Sequence, residues 1–397
     1  MASLSVLHIL RTIKERGTVS RTDLQHLTGL SWGTITNTTR DLLNRNLIRE
    51  EGALATKAGR KPVRLAINPN NHSLIGLDIA PTSVTCLALN LAGETLHEVR
   101  QEFSPNDSPT QVLDMAAEMV NAALAMPDLS QRMCLGVGVA VQGAVDVRAG
   151  VMKFAPRMPM WRDVAVRDHL LNRLQVSVRV EHDPNCLALA ERWFGDASAA
   201  DDALCISLGD GVGMGILING EIFRGAQQFA GEFGHTTVNP NGPKCACGDN
   251  GCVESYCSIH AVIDHVASLP ELQSAEIKKI ITQRVPTVHE LVSAARAGDP
   301  AVLQAFEQLG YYLGIGIANV VDLFNPNVVV LCGPLTAGQA FFDGALQMQL
   351  EKRAWRHSSR QVLISKLGPR AIAMGACGGV LQGVFETAAL QAELQTA

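Results

Sequence analysis

Between His235 and Ser258 the chain reads HTTVNPNGPKCACGDNGCVESYCS, four cysteines and a histidine in twenty-four residues. Cys245, Cys247 and Cys252 follow a C-x-C-x4-C spacing, and the glycines and asparagines around them cannot build a core. Such a cluster is a redox device, a disulfide knot or a metal site. In a reducing compartment thiols and metal ligands are favoured over disulfides. Three thiolates can share a tetrahedral Zn2+ whose fourth ligand is a nearby imidazole. His235 lies ten residues before Cys245; on spacing alone Cys257 or His260 also fits the fourth place. A closed site of this kind is structural, so the metal orders the loop and does no hydrolytic chemistry.

Larger elements must hold that loop. At 397 residues the chain exceeds one ordinary domain, so two or three folded units are expected. Apolar residues make up 47% and charged residues 18%, which suits a globular protein with ample core. No run of eighteen uncharged apolar residues appears, so no membrane span is expected. The opening MASLSVLHILRTIKERG lacks a basic leader and a small-residue cleavage site, and the expected location is the cytoplasm.

The net charge of −5 hides an asymmetry. Residues 1–64 hold eleven Lys/Arg against five acids, a net +6, which leaves −11 for the remainder. A basic head on an acidic body points to a polyanion-binding module attached to something else. In that head Leu4, Leu7, Leu10 and Ile13 are spaced for one helical face, and Gly17 closes the helix. Ser20 and Asp23 form a capping box opening a second helix that Gly29 ends. Ser31 caps a third, with Ile35, Leu42 and Leu43 turned inward. Helix, tight turn, helix is the helix-turn-helix arrangement. Its second member offers Ser31, Trp32, Thr34, Thr36, Asn37 and Arg40 outward, side chains able to reach phosphates and base edges. The stretch KAGRKPVRLAI reads as a two-stranded wing whose bend puts Arg60 and Lys61 within reach of a minor groove. Residues 1–68 are thus expected to be a winged helix-turn-helix domain that binds a double-stranded DNA operator.

After Asn68–Asn71 the pattern changes. Strand-like runs LIGLDIA, SVTCLALNL, ETLHEVRQEF, LGVGVAVQGAV, VSVRVEHD, ALCISLGDG, VGMGILING and NVVVLCGP alternate with helical stretches such as SPTQVLDMAAEMVNAALAM. Strands in hairpin order, then alternating with helices, predict an α/β fold of two lobes around a cleft. LIGLDIAPTS, GVGVAVQGAVD, VEHDPNCLALAERWFGD, SLGDGVGMGILINGEIFRGAQQFAGEFGH, CACGDNGCVE and LFNPNVVVLCGP together resemble the ROK family, from about residue 74 to 380. That family joins bacterial sugar kinases to sugar-responsive repressors on an actin-like, ribonuclease H-like body. The head resembles the repressor branch. The implied division is a first lobe over 71–182 with a C-terminal helix over 371–397, and a second lobe over 183–370 with the zinc loop and the expected dimer interface.

The resemblance gives His235 the fourth zinc position beside Cys245, Cys247 and Cys252. It implies that Glu232 and Glu254 accept hydrogen bonds from sugar hydroxyls, that His235 touches the sugar through its other nitrogen, and that Gly143 lets backbone approach. Paired carboxylates suit vicinal diols, whose donors sit at fixed separations. Asp183 matches the base that kinases of the family use on the hydroxyl to be phosphorylated, although His182 replaces their asparagine and Gln142 their proline. The nucleotide side departs further. Where those kinases read D-x-G-G-T this chain has Asp78, Ile79, Ala80, Pro81 and Thr82. A methyl group and a proline stand where close approach and N–H donors are wanted. Asp210 sits between Gly209 and Gly211 where a carboxylate repels phosphate, and a glycine pair has become Gly333–Pro334. The expected protein is a homodimeric or tetrameric repressor of carbohydrate-related genes that senses a sugar or sugar phosphate without phosphorylating it. Its rivals are an active ATP-dependent sugar kinase with an added head and a body that reads another protein.

Overall fold

The computed structural model of the chain describes residues 2–53, 63–104, 106–155, 157–353 and 361–396. They form two compact units, Met1–Ala199 with Arg370–Ala397, and Ala200–Pro369. No helix among the described residues is long and apolar enough to cross a membrane.

The first unit opens with α1 (Ala2–Arg16), which buries Ile9, Leu10 and Ile13 and stops at Gly17, φ +74°. β1 (Val19–Ser20) leads into α2 (Arg21–Thr28), where the reciprocal Ser20–Asp23 capping box forms and left-handed Gly29 ends the helix. α3 (Trp32–Asn44) starts where the Ser31 hydroxyl accepts from Thr34 N. Ile35 and Leu42 are fully buried, Leu43 only half. β2 (Ile48–Ala53) and β3 (Val63–Ile67) pair antiparallel, and β1 adds to the other edge of β3. The bend between β2 and β3, with Arg60 and Lys61, lies outside the described residues.

Next come β4 (His72–Ala80), β5 (Ser83–Leu89), β6 (Thr95–Glu102), α4 (Pro109–Leu124), α5 (Pro127–Ser130) and β7 (Met133–Val141). β8 (Ala144–Asp146), β9 (Val151–Phe154), β10 (Arg162–Val164), α6 (Val166–Leu171), β11 (Val178–His182) and α7 (Asp183–Phe194) complete this run. The main sheet has the order β11-β7-β4-β5-β6, parallel from β11 to β4 and antiparallel from β4 to β6. Its middle strand is buried nearly throughout, as a strand covered on both faces must be. The apolar run LGVGVAVQGAV is two strands, because the chain turns at Gly143 (φ +80°) into the small sheet β10-β9-β8.

The second unit contains β12 (Ala203–Leu208), β13 (Val212–Ile218), β14 (Glu221–Ile222), α8 (Glu254–Cys257), α9 (Ile259–Ala267) and α10 (Ala275–Gln283). α11 (Val288–Arg296), α12 (Pro300–Phe324), β15 (Val328–Cys332), α13 (Gln339–Arg353) and β16 (Gln361–Ile364) follow. The sheet order is β14-β13-β12-β15-β16, over a core that includes Ile206, Phe233, Phe306, Leu309 and Phe342. The final helix, α14 (Ala371–Thr396), returns to the first unit. There Gly375 lies so close to α7 that a Cβ would stand 1.6 Å from Cys186 O. This contact explains why α7, placed by the sequence reading in a second lobe beginning at residue 183, stays with the first unit. Its residues Pro184–Trp193 are all buried, and the break falls at Ala200 instead.

Candidate functional site

In the second unit the predicted loop brings His235, Cys245, Cys247 and Cys252 together, their ligand atoms all within 4.8 Å of one another. Cys245 Sγ is 3.7 Å from His235 Nδ1, and Cys247 Sγ is 3.6 Å from Cys252 Sγ. Zinc bonds of about 2.3 Å to sulfur and 2.0–2.1 Å to nitrogen give tetrahedral edges of about 3.8 and 3.6 Å. These two pairs stand near those edge lengths and all four donors lie within 4.8 Å, so the residues fit a tetrahedral metal. Backbone holds them there. Cys245 N donates to Asp249 O, Gly248 N to Cys245 O, Gly251 N to Pro243 O, and both Val238 N and Asn239 N to Gly251 O. Burial pushes the Cys252 thiol up to about 12 and raises Cys245, whereas the Asp249 amide lowers exposed Cys247. A bound cation would deprotonate all three. The other sources of a fourth ligand point elsewhere: Cys257 Sγ faces Leu309 O at 3.6 Å, and His260 Nε2 lies 3.9 Å from Asp210.

The histidine faces two ways. With Nδ1 toward Cys245, its Nε2 lies 4.0 Å from Glu232 Oε2. Burial raises the Glu232 pKa; His235 counters that and Glu254 adds to it. Glu254 heads α8, and its Oε2 accepts from Val212 N at 3.0 Å, so the carboxylate ties the metal loop to the Gly209–Gly211 turn. A Cβ on Gly211 would come within 2.9 Å of that oxygen. Gly333 (φ +94°) packs on Leu208, and the Pro334 ring reaches within 4 Å of where a Gly209 Cβ would stand. Two carboxylates, Glu232 and Glu254, thus neighbour the loop, and Asp210 sits in the turn that Glu254 ties to it.

The first unit holds the remaining candidates. Asp183 is the first residue of α7, and its Oδ1 lies 3.3 Å from His182 Nε2. Burial drives His182 down to about 4, so at neutral pH a neutral imidazole stands beside that carboxylate. Glu181, which sequence reasoning passed over, accepts from His182 N at 3.0 Å and from Asn185 Nδ2 at 2.9 Å across the junction of β11 and α7. Gly143 supports close packing: a Cβ would stand 2.2 Å from Phe154 O. Ala80 pairs with Ser83 across a two-residue turn of Pro81 and Thr82, and burial raises Asp78 to about 6. The proline therefore occupies the tip of a tight hairpin, where it offers no N–H.

On α3, Ser31, Trp32, Asn37 and Arg40 are exposed, while Thr34 and Thr36 are half-buried. The Thr34 hydroxyl lies 2.9 Å from that of Ser31, both occupied in the cap. Thr36 departs from the outward reading. Its residue is half-buried, and its hydroxyl oxygen is buried without a hydrogen-bond partner among the described residues.

The model of the ROK family matches residues 74–382. The xylose repressor of Caldicellulosiruptor bescii is 28% identical over 389 residues, covering 97% of each chain. The DNA-binding transcriptional dual regulator NagC of Escherichia coli K12 is 28% identical over 392 residues, 96% of this chain and 93% of its own. Among solved structures, a ROK family transcriptional regulator homologous to E. coli MLC superposes with a TM-score of 0.82 at 23% identity, over 97% of this chain and 98% of its own. A ROK family glucokinase from Streptomyces griseus, solved with glucose and AMPPNP, has a TM-score of 0.67 at 29% identity. It covers 78% of this chain and 99% of its own.

Proposed function

This chain belongs to the ROK family, and from that footing we propose that it is a sugar-responsive transcriptional repressor. The observation that carries this reading is the extent of likeness: a repressor accounts for 97% of the chain, whereas a whole glucokinase accounts for only 78%. In this reading residues 1–68 are a winged helix-turn-helix that docks α3 in a major groove. Ser31, Trp32, Asn37 and Arg40 face the DNA, and Arg60 and Lys61 reach an adjacent groove. A homodimer places two heads on a pseudo-palindromic operator in the cytoplasm, since one small module makes too few contacts for specific affinity.

The body binds the effector, a sugar or sugar phosphate, and the candidate ligand residues are Glu232, Glu254 and His235 within the second unit and, separately, Asp183 and Gly143 within the first. Zn2+ held by His235, Cys245, Cys247 and Cys252 keeps the loop rigid and fixes the imidazole, leaving Nε2 for the ligand. Phosphoryl transfer depends almost wholly on positioning and charge stabilisation. The Pro81 hairpin and the Asp210 carboxylate remove both, so the body senses and does not phosphorylate. A ligand can act only through a difference in its affinity for DNA-competent and other arrangements. A difference of about 3 kcal/mol changes occupancy roughly a hundredfold, within reach of a few hydrogen bonds to charged groups.

Retained Asp183 favours the second reading, an active sugar kinase with an added head. One experiment separates the two. Duplexes enriched by the protein from a randomised pool serve as the DNA, and a panel of hexoses, pentoses, amino sugars and their phosphates is scored for DNA release and for ATP consumption. Release without ATP consumption is expected. Phosphorylation at ordinary enzyme rates would overturn the sensor reading.

A further inference from the structure

One basic residue of the head points at the rest of its own unit. Lys14, in the last turn of α1, donates from Nζ to Ala92 O at 2.8 Å and sits 4.2 Å above the centre of the Phe194 ring. The acceptor belongs to the Asn90–Glu94 turn between β5 and β6, which Asn90 builds by accepting from Ala92 N and Glu94 N through Oδ1. Gly93 (φ +91°) completes the seat. A Cβ there would stand 2.6 Å from Phe194 Cδ1 and 3.2 Å from Lys14 Nζ. The ammonium is crowded enough that burial draws its pKa down to about 8. Carbonyl, ring face and a gap that only glycine leaves are three complementary features around one cation.

The seat also has a notable address. Phe194 ends α7, the helix that Asp183 begins. Directly after it, Glu191 Oε2 accepts from Asp196 N, and Arg192 Nη1 donates to Ser198 O at 3.0 Å. Those bonds fix Gly195–Ser198, the last stretch before the second unit begins at Ala200. One buried helix thus carries a candidate ligand residue at its start, and at its end both the seat of Lys14 and the strand of chain that leaves the unit.

We infer that Lys14 is a latch that docks the N-terminal head on the body at Phe194 and the Asn90–Glu94 turn, so that α7 sets the position of the head. Its regulatory meaning rests on the repressor reading; the docking itself does not. The latch joins α1 to the end of α7 and to the Asn90–Glu94 turn, in addition to the packing of α1 on α14 and the covalent link at Asn68–Asn71. A shift at the Phe194 end of α7 is then felt by α1 directly.

Hydrogen exchange of the intact protein, with no sugar and no DNA, tests it. Lys14→Met should speed exchange roughly tenfold both in α1 and in residues 90–94, seventy-eight positions away from Lys14 at Ala92, while residues 200–369 keep their wild-type rates. Lys14→Arg, which still sets a cation over the ring, should recover most of the protection. If Lys14→Met loosens the unit generally, Phe194→Leu supplies the second measurement: it should free α1 and leave β4 and β7 protected. Wild-type exchange in residues 90–94 of Lys14→Met, or in α1 of Phe194→Leu, overturns the latch. A protein that binds no sugar and enriches no DNA would sink the repressor reading and leave these exchange results to decide the latch alone.

Discussion

Two glycines of the metal loop share a backbone requirement and differ in their surroundings, which makes them a sharp test of how the site is built. Gly248 (φ +106°) and Gly251 (φ +67°) both sit where L side chains are rare. A Cβ on Gly248 meets nothing within 4 Å, whereas one on Gly251 stands 1.6 Å from Asn239 O. Gly248→Ala therefore costs backbone strain alone, about 1–2 kcal/mol. Gly251→Ala adds a collision that forces the Asn239 backbone back by well over an ångström. That movement breaks or stretches three bonds, Val238 N and Asn239 N to Gly251 O and Gly242 N to Asn239 O. At about 1 kcal/mol each, with similar strain, the total is about 4 kcal/mol. Cys252 is the next residue, so this cost falls on the loop that carries the proposed metal ligands. Zinc affinity, read by competition with a chromophoric chelator, should drop on the order of a thousandfold in Gly251→Ala and roughly tenfold in Gly248→Ala. Equal losses, or the reverse order, would refute the steric reasoning. Freshly prepared wild-type protein without zinc would remove the metal itself.

Other outcomes follow from the remaining parts of the site. Cys247→Ser should abolish zinc retention and accelerate amide exchange across residues 239–252, because that loop has little apolar packing of its own. Arg40→Ala should weaken duplex binding and lower the salt slope by about 0.9, as expected for one lost phosphate contact; an unchanged slope in titrations at several salt concentrations would remove Arg40 from the interface. Glu232→Ala should weaken the effector found in the sugar panel roughly tenfold to hundredfold, the effect of losing a hydrogen bond to a charged group, measured by calorimetry. His182, held near 4 in the fold against about 6.5 when unfolded, binds a proton in the unfolded state first. Its contribution is intact above about pH 6.5 and is lost as pH falls toward 4, to a total of about 3 kcal/mol. His182→Asn should flatten the stability profile across that window, and an unaltered profile would show the imidazole to be solvated.

Local chemistry was legible in the sequence wherever the cause was local. The Ser20–Asp23 capping box, the Ser31 cap and the stops at Gly17 and Gly29 depend on neighbours a few residues away, and each forms where its residues stand. The cysteine spacing likewise confined three donors to one short loop. Which residue completes the set was not a matter of spacing. His235, Cys257 and His260 were all near enough along the chain, and the packing of Cys257 into α12 and the turn of His260 toward Asp210 left the place to His235. Tertiary structure also decided where α7 belongs. Its sequence fits either unit, but the Gly375 approach and its burial join it to the first. The burial of the Thr36 hydroxyl and the seating of Lys14 on Phe194 were equally invisible. A helix read alone gives a period and a polar face, while the partner of a single side chain comes from elements far away in sequence, brought near only by the folded backbone.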